Sequence, residues 1–307
     1  KNLDETFTFE GLTYKKPNTK ELKDAFLNNT DRIIGTYKNY IVFATERDGL
    51  YVYNSKTGGK RSITDLAIDS RITDGYVIYT EVVEGISNDL IAYDLVTGEK
   101  TSLSSFTYNQ TVSDVVKVGN VVYYIVNENE KSYLQVVTLN PDVAINIQQV
   151  NITLPEGSFL KEENEKAYVI NETGFYEVSD AVLERLSDTP KGIYSDVKVW
   201  SGKPLIFLYN TASTHSEINY NNQLVTQSEN IFEMNPIDNQ NILINDNNEL
   251  YLYNINTKSK KVISGIATNS AVLEGNIIYS VAVNFNNQDE DSEDKDYYFF
   301  LEKENKK

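Results

Sequence analysis

Asp74-Gly75-Tyr76-Val77-Ile78-Tyr79 and, after a break, Leu90-Ile91-Ala92-Tyr93-Asp94-Leu95-Val96-Thr97-Gly98-Glu99-Lys100 decide the fold of this 307-residue chain. The first segment is a polar turn followed by a run of aromatic and β-branched residues. The second is an alternating run that ends in a polar hairpin. Such runs bounded by Gly, Asn and Asp read as short strands. The turn and its run recur seven times, at Lys38-Asn39, Asp74-Gly75, Gly119-Asn120, Asn164-Glu165, Gly202-Lys203, Asp238-Asn239-Gln240 and Gly275-Asn276. Counted from Asn39 through Gly75, Asn120, Glu165, Lys203, Gln240 and Asn276, the steps are 36, 45, 45, 38, 37 and 36 residues. A step of roughly 40 residues with several strands in each is the signature of a β-propeller.

The runs after the turns, such as Tyr40-Ile41-Val42-Phe43, Val121-Val122-Tyr123-Tyr124 and Leu205-Ile206-Phe207-Leu208, are almost continuously apolar. That pattern belongs to strands covered on both faces by neighbouring sheets. The hairpin is the best-kept part of the unit. Tyr53-Asn54-Ser55-Lys56-Thr57-Gly58-Gly59-Lys60 repeats it, and Tyr253-Asn254-Ile255-Asn256-Thr257-Lys258-Ser259-Lys260 is a third copy without the glycine. Asp or Asn opens the turn by bonding to its own backbone, and Gly supplies the positive φ that closes it. On this hairpin the chain resembles the bacterial TolB-like, quinoprotein-like and YqgU-like β-propellers, whose blades carry a Tyr-Asp-Leu-x-Thr-Gly-Glu turn. The resemblance implies a propeller and little about activity, because that superfamily includes enzymes, receptors and scaffolds.

The expected architecture is all-β: one propeller domain over residues 1–307, with blades over 31–307. Seven blades are expected. Six is the competing count, because the third and fifth units are the weakest, with Gln223-Leu224-Val225-Thr226 poor as an outer strand. Residues 1–30 hold a strand, Thr6-Phe7-Thr8-Phe9, expected to complete the last blade. They also hold a short helix over Thr19 to Leu27, with Leu22, Ala25 and Phe26 on one face. Repeat folds reach this length because each unit packs only on its neighbours.

The 45 acidic side chains exceed the 28 basic ones, for a net charge of −17, so a nucleic acid would be repelled. No apolar run is long enough to cross a bilayer, which leaves an N-terminal anchor outside the sequence as the expected tie to a membrane. The absence of cysteine fits a protein displayed outside the cytoplasmic membrane of a Gram-positive bacterium, and a monomer is expected.

Candidate site residues come from position rather than motif. Asp31, Asp69, Asp114 and Asp196 lie five to eight residues before their turns, with Asn269 in the same place in the last unit. There the innermost strand of a blade begins, and a carboxylate ring could hold a cation or a basic group of a ligand. The competing reading is that each side chain bonds backbone in the loop entering its blade. Trp200 either anchors a partner or fills space between blades. The acidic run 289–296 offers alternating oxygen ligands, and calcium at Asp289, Asp291 and Asp294 is the one cofactor it admits. It lacks the EF-hand spacing, and a self-repelling acidic loop explains it as well. His215, the sole histidine, sits in a Ser/Thr-rich loop without an ordered acid partner. Neither a catalytic nor a cofactor signature is present. The expected function is therefore a non-catalytic binding or scaffold module that recognises a protein or peptide. A carbohydrate-active hydrolase or lyase working through channel carboxylates is the alternative, and it needs two carboxyls about 5–10 Å apart.

Overall fold

The structure, a computed structural model, describes residues 6–15, 31–47, 49–83, 87–140, 142, 151–179, 182–230, 233–283 and 295–305. The chain is a seven-bladed, all-β propeller, and none of the described residues is helical. Six blades are four-stranded antiparallel meanders, and the seventh has three described strands. The six-bladed count fails because the weak units fold fully. Asn151–Leu154 closes blade three, and Gln223–Ser228 closes blade five by pairing with His215–Tyr220. An outer strand needs one apolar neighbour rather than two faces of them, so a weak pattern suffices there.

The blades fall into two compact units, residues 63–229 and residues 1–62 with 230–307. In the first, the inner strands are Ser70–Thr73, Thr111–Val118, Phe159–Glu163 and Ile193–Trp200. These strands run side by side in one sense. Thr73, at the end of its strand, accepts a hydrogen bond from the Lys117 amide (2.8 Å), near the end of the next. Glu163, at the end of its strand, accepts from the Ser201 and Gly202 amides (2.9 and 2.6 Å) just beyond Trp200. The second strands are the most deeply buried, with Val77, Ile78, Val122, Val169, Leu205 and Ile206 wholly inaccessible. Packing of Ile78, Leu90 and Ala92 against Val112, Val115 and Val122 joins blade two to blade three. Each fully buried Val, Leu or Ile of this kind contributes about 1.5–3 kcal/mol relative to its exposed state.

In the second unit, blade one begins at Arg32–Tyr37 and blade seven at Ala267–Leu273. The Thr36 hydroxyl donates to the Val272 carbonyl (2.7 Å), and Phe43 meets Tyr298 edge to face, so the first blade packs against the last. The expected closure is corrected in detail. Thr6–Phe9 pairs with Leu12–Lys15 as a hairpin rather than with blade seven. The second strand of that hairpin makes the tie, with Tyr14 bridged to Lys303 and backbone bonds from Lys15 to Glu302 and from Glu304 to Thr13. Burial explains the choice. Phe9, Leu12 and Tyr14 sink among Leu243, Leu252, Ile277 and Leu301 of blades six and seven. The expected helix over Thr19 to Leu27 lies outside the described residues.

The hairpin motif behaves as its residues dictate. Asp94 Oδ1 accepts from the Val96 and Thr97 amides (2.8 and 3.0 Å), and Gly98 turns the chain at φ +78°. Asn54 and Asn254 repeat these bonds, with Gly58 at φ +74° and, in the third copy, Lys258 held at φ +59°.

Candidate functional site

The recurring carboxylates divide into two structural kinds. Asp114, Asp196 and Asn269 each follow a β-bulge in an inner strand, where the register shifts by one residue. A bulge breaks the ladder and leaves amides without their strand partner. Asp114 and Asp196 answer by folding back, each accepting from the next amide at 2.9 Å. Asn269 instead donates to the Ser280 hydroxyl (3.3 Å). Asp31 and Asp69 lie just ahead of their inner strands. Asp31 is buried, and its Oδ2 accepts from the Tyr51 hydroxyl (2.9 Å). Burial first, and then that bond, push the Tyr51 phenol far above its ordinary value.

Of the sequence-predicted carboxylates of residues 63–229, Asp69 and Asp114 are brought together and Asp196 is not. They meet at a shallow cleft between blades two and three, walled by Ile78, Leu90 and Val112. Arg71 stands between them, its Nε 3.3 Å from Asp114 Oδ1. Desolvation raises the Asp69 carboxyl, with Arg71 pulling it down and Asp114 pushing it up. Asp114 is almost wholly committed elsewhere. Besides Arg71 and Val115, it accepts from the Leu160 amide of blade four at 2.8 Å, so one buried carboxylate joins three consecutive blades. Trp200 is buried, its ring 4.8 Å from that of Tyr220, whose hydroxyl bonds the Trp200 carbonyl (2.9 Å). His215 Nδ1 lies 2.6 Å from the Ser213 carbonyl. Asp289, Asp291 and Asp294 lie outside the described residues, and among the described ones no three His, Cys, Asp or Glu side chains converge.

What position-based reasoning missed is the distribution of exposed apolar side chains. In an up-and-down blade, the link to the next blade and the turn between second and third strands share one rim. In residues 63–229 that rim carries Leu66, Ile68, Val82, Tyr108, Ile193 and Tyr209, which are 40–84% exposed. Leu66, Ile68 and Tyr108 are in interblade links, whereas Ile193 and Tyr209 are cross-strand partners where blade five begins. The other exposed large apolar residues of this unit are Val96, in a turn on the opposite rim, and Val182, Leu186 and Leu224, on outer strands. Leu66-Ala67-Ile68 in a polar link was the readable signal.

No protein-family model and no curated protein matches the chain. Solved structures do match at the level of fold. The β-propeller domain of the Trilobed protease from Pyrococcus furiosus is 12% identical with a TM-score of 0.59, over 90% of this chain and 95% of that one. An acylaminoacyl peptidase is 12% identical with a TM-score of 0.62, over 89% of this chain and 52% of its own. An oligogalacturonate lyase from Vibrio parahaemolyticus is 12% identical with a TM-score of 0.58, over 97% and 96%. The chain spans about half the length of the peptidase. At these identities the likeness is one of propeller architecture, as the hairpin resemblance implied.

Proposed function

We propose that the chain is a non-catalytic binding module that works outside the cytoplasmic membrane and takes a protein or peptide on the rim bearing its interblade links. The observation that carries this reading is the collection of exposed apolar side chains there: Leu66, Ile68, Val82, Tyr108, Ile193 and Tyr209. Single exposed apolar residues are ordinary. A rim that gathers most of a unit's exposed apolar side chains on loops held by rigid sheets is the layout of a recognition surface. Among the sequence-predicted carboxylates, the carbohydrate-active reading would draw on Asp69 and Asp114. Asp114 is poorly placed for acid–base work, because its carboxylate is engaged by two buried amides and Arg71.

A random peptide library displayed on phage and selected on the intact chain tests the proposal. Counter-selection uses a variant carrying Ile68→Ser, Tyr108→Ser and Ile193→Ser. All three side chains are exposed, so the variant keeps its core. Enriched peptides should lose binding to the variant. Peptides that bind wild type and variant alike, or the absence of any enrichment, would sink the proposal.

A further inference from the structure

The links and middle turns of the same rim carry a second property. Among the described residues of 63–229, Asp65, Asp69, Glu130, Glu156, Glu172, Asp188 and Glu229 occupy them against a single cation, Lys191. Asp65, Glu130, Glu156 and Glu172 are exposed, and their carboxylates make no ion pair among the described residues. Arg185 answers only Asp188, at 2.5 Å. The opposite rim is acidic too, and there Glu99, Asp142 and Glu165 are exposed while three carboxylates are committed. Asp74 pairs with Lys117 at 2.6 Å, Asp94 caps its own hairpin, and Glu163 caps the turn after Trp200. It also lacks the gathered apolar side chains. One rim therefore combines uncommitted negative charge with exposed Leu, Ile and Tyr.

On that basis, and resting on the reading of this rim as the binding face, we infer that the partner is a cationic segment punctuated by apolar side chains: a peptide or protein strip rich in Lys or Arg. Two physical arguments select it. An acidic or neutral partner would have to approach a surface whose exposed Asp65, Glu130, Glu156 and Glu172 make no ion pair among the described residues, in the field of a chain with net charge −17. A partner that was only charged would leave Leu66, Ile68, Tyr108 and Ile193 in water. Lys and Arg serve both needs, because their aliphatic stems lie along apolar surface while their charged ends reach the carboxylates. Charge then governs how fast and how selectively the partner arrives, and the apolar side chains govern how long it stays.

Three synthetic peptides of identical apolar spacing separate the possibilities, with Lys, Gln or Glu at every polar position and a fluorophore for anisotropy. Binding is measured on wild type and on two variants. One neutralises the rim with Asp65→Asn, Glu130→Gln, Glu156→Gln and Glu172→Gln. The other removes apolar contacts with Leu66→Ser, Tyr108→Ser and Ile193→Ser. The Lys peptide should bind about tenfold or more tightly than the Gln peptide at low salt. Its advantage should fall steeply as ionic strength rises toward 0.3 M, and should vanish on the neutralised variant. Equal binding of Lys and Gln peptides that still depends on the apolar side chains overturns the cationic partner while leaving the binding rim in place. Binding indifferent to both variants overturns both. Binding by none of the three peptides overturns the partner class.

Discussion

Replacing Asp114 with Ala tests whether the recurring carboxylates hold the blades together. Asp114 accepts from the Leu160 amide at 2.8 Å and the Val115 amide at 2.9 Å, both buried, and from Arg71 Nε at 3.3 Å. Each buried amide left without an acceptor costs about 1–3 kcal/mol. The Arg71 side chain is 41% exposed, so its share is discounted to under about 1 kcal/mol. Removal of the carboxylate also relieves its own burial, which offsets part of the loss. The balance is a destabilisation of about 3–4 kcal/mol for Asp114→Ala. Asp114→Asn keeps one acceptor and should cost about 1–2 kcal/mol, and Arg71→Ala under about 1 kcal/mol. Urea titration followed by the fluorescence of Trp200, the only tryptophan and a buried one, reports the global effect. Hydrogen exchange at the Leu160 amide reports the local one, and its protection should collapse in Asp114→Ala. An Asp114→Ala variant within about 0.5 kcal/mol of wild type, with Leu160 still protected, would refute the reasoning, since ordinary surface substitutions fall in that range.

Three further outcomes follow from the geometry. Gly98→Ala places a Cβ at φ +78° and should lower stability by about 1 kcal/mol, whereas Lys258→Gly, at φ +59°, should raise it by a few tenths to about 1 kcal/mol in thermal melts. The buried Lys117 ammonium lies 2.6 Å from Asp74 and 4.8 Å from the Tyr76 ring centre. Asp74→Asn should therefore cost about 1–2 kcal/mol, and Lys117→Met, which strands the half-exposed Asp74 carboxylate and removes the cation that pulls the Glu162 carboxyl down against its burial, should cost at least as much; urea midpoints decide the order. Burial pushes Tyr79 and Tyr194 up from 10.0 to about 12. The unfolded chain sheds these protons from about pH 10 and the folded chain only near 12. Stability from these groups is thus constant below pH 10 and falls between 10 and 12, by up to about 1.4 kcal/mol per pH unit for each tyrosine. Absorbance at 295 nm, a phenolate band, should rise together with unfolding, and independent early titration of all tyrosines would contradict this.

The blade count was legible in sequence because it rests on local signals. A turn, an apolar run and an Asx-Gly hairpin are set by residues within a few positions of one another, and their period repeats along the chain. Even the third hairpin, with Lys258 in place of glycine, was readable because Asn254 opens it. What Asp114 does was not legible. Its partners Arg71 and Leu160 are 43 and 46 residues away, and nothing in its own segment names them. The same holds for Thr6–Phe9, which alternates as a strand should, while its edge was chosen by where Phe9, Leu12 and Tyr14 could be buried. Tyr14 bonds the carbonyl of Gly275, 261 residues on. Exposure likewise belongs to the fold, since Leu66 and Ile68 face water while Ala67 between them is buried. Local periodicity determined what each unit is. Only the packing of one blade on another decided which polar groups are consumed in holding the fold and which apolar ones are left facing water.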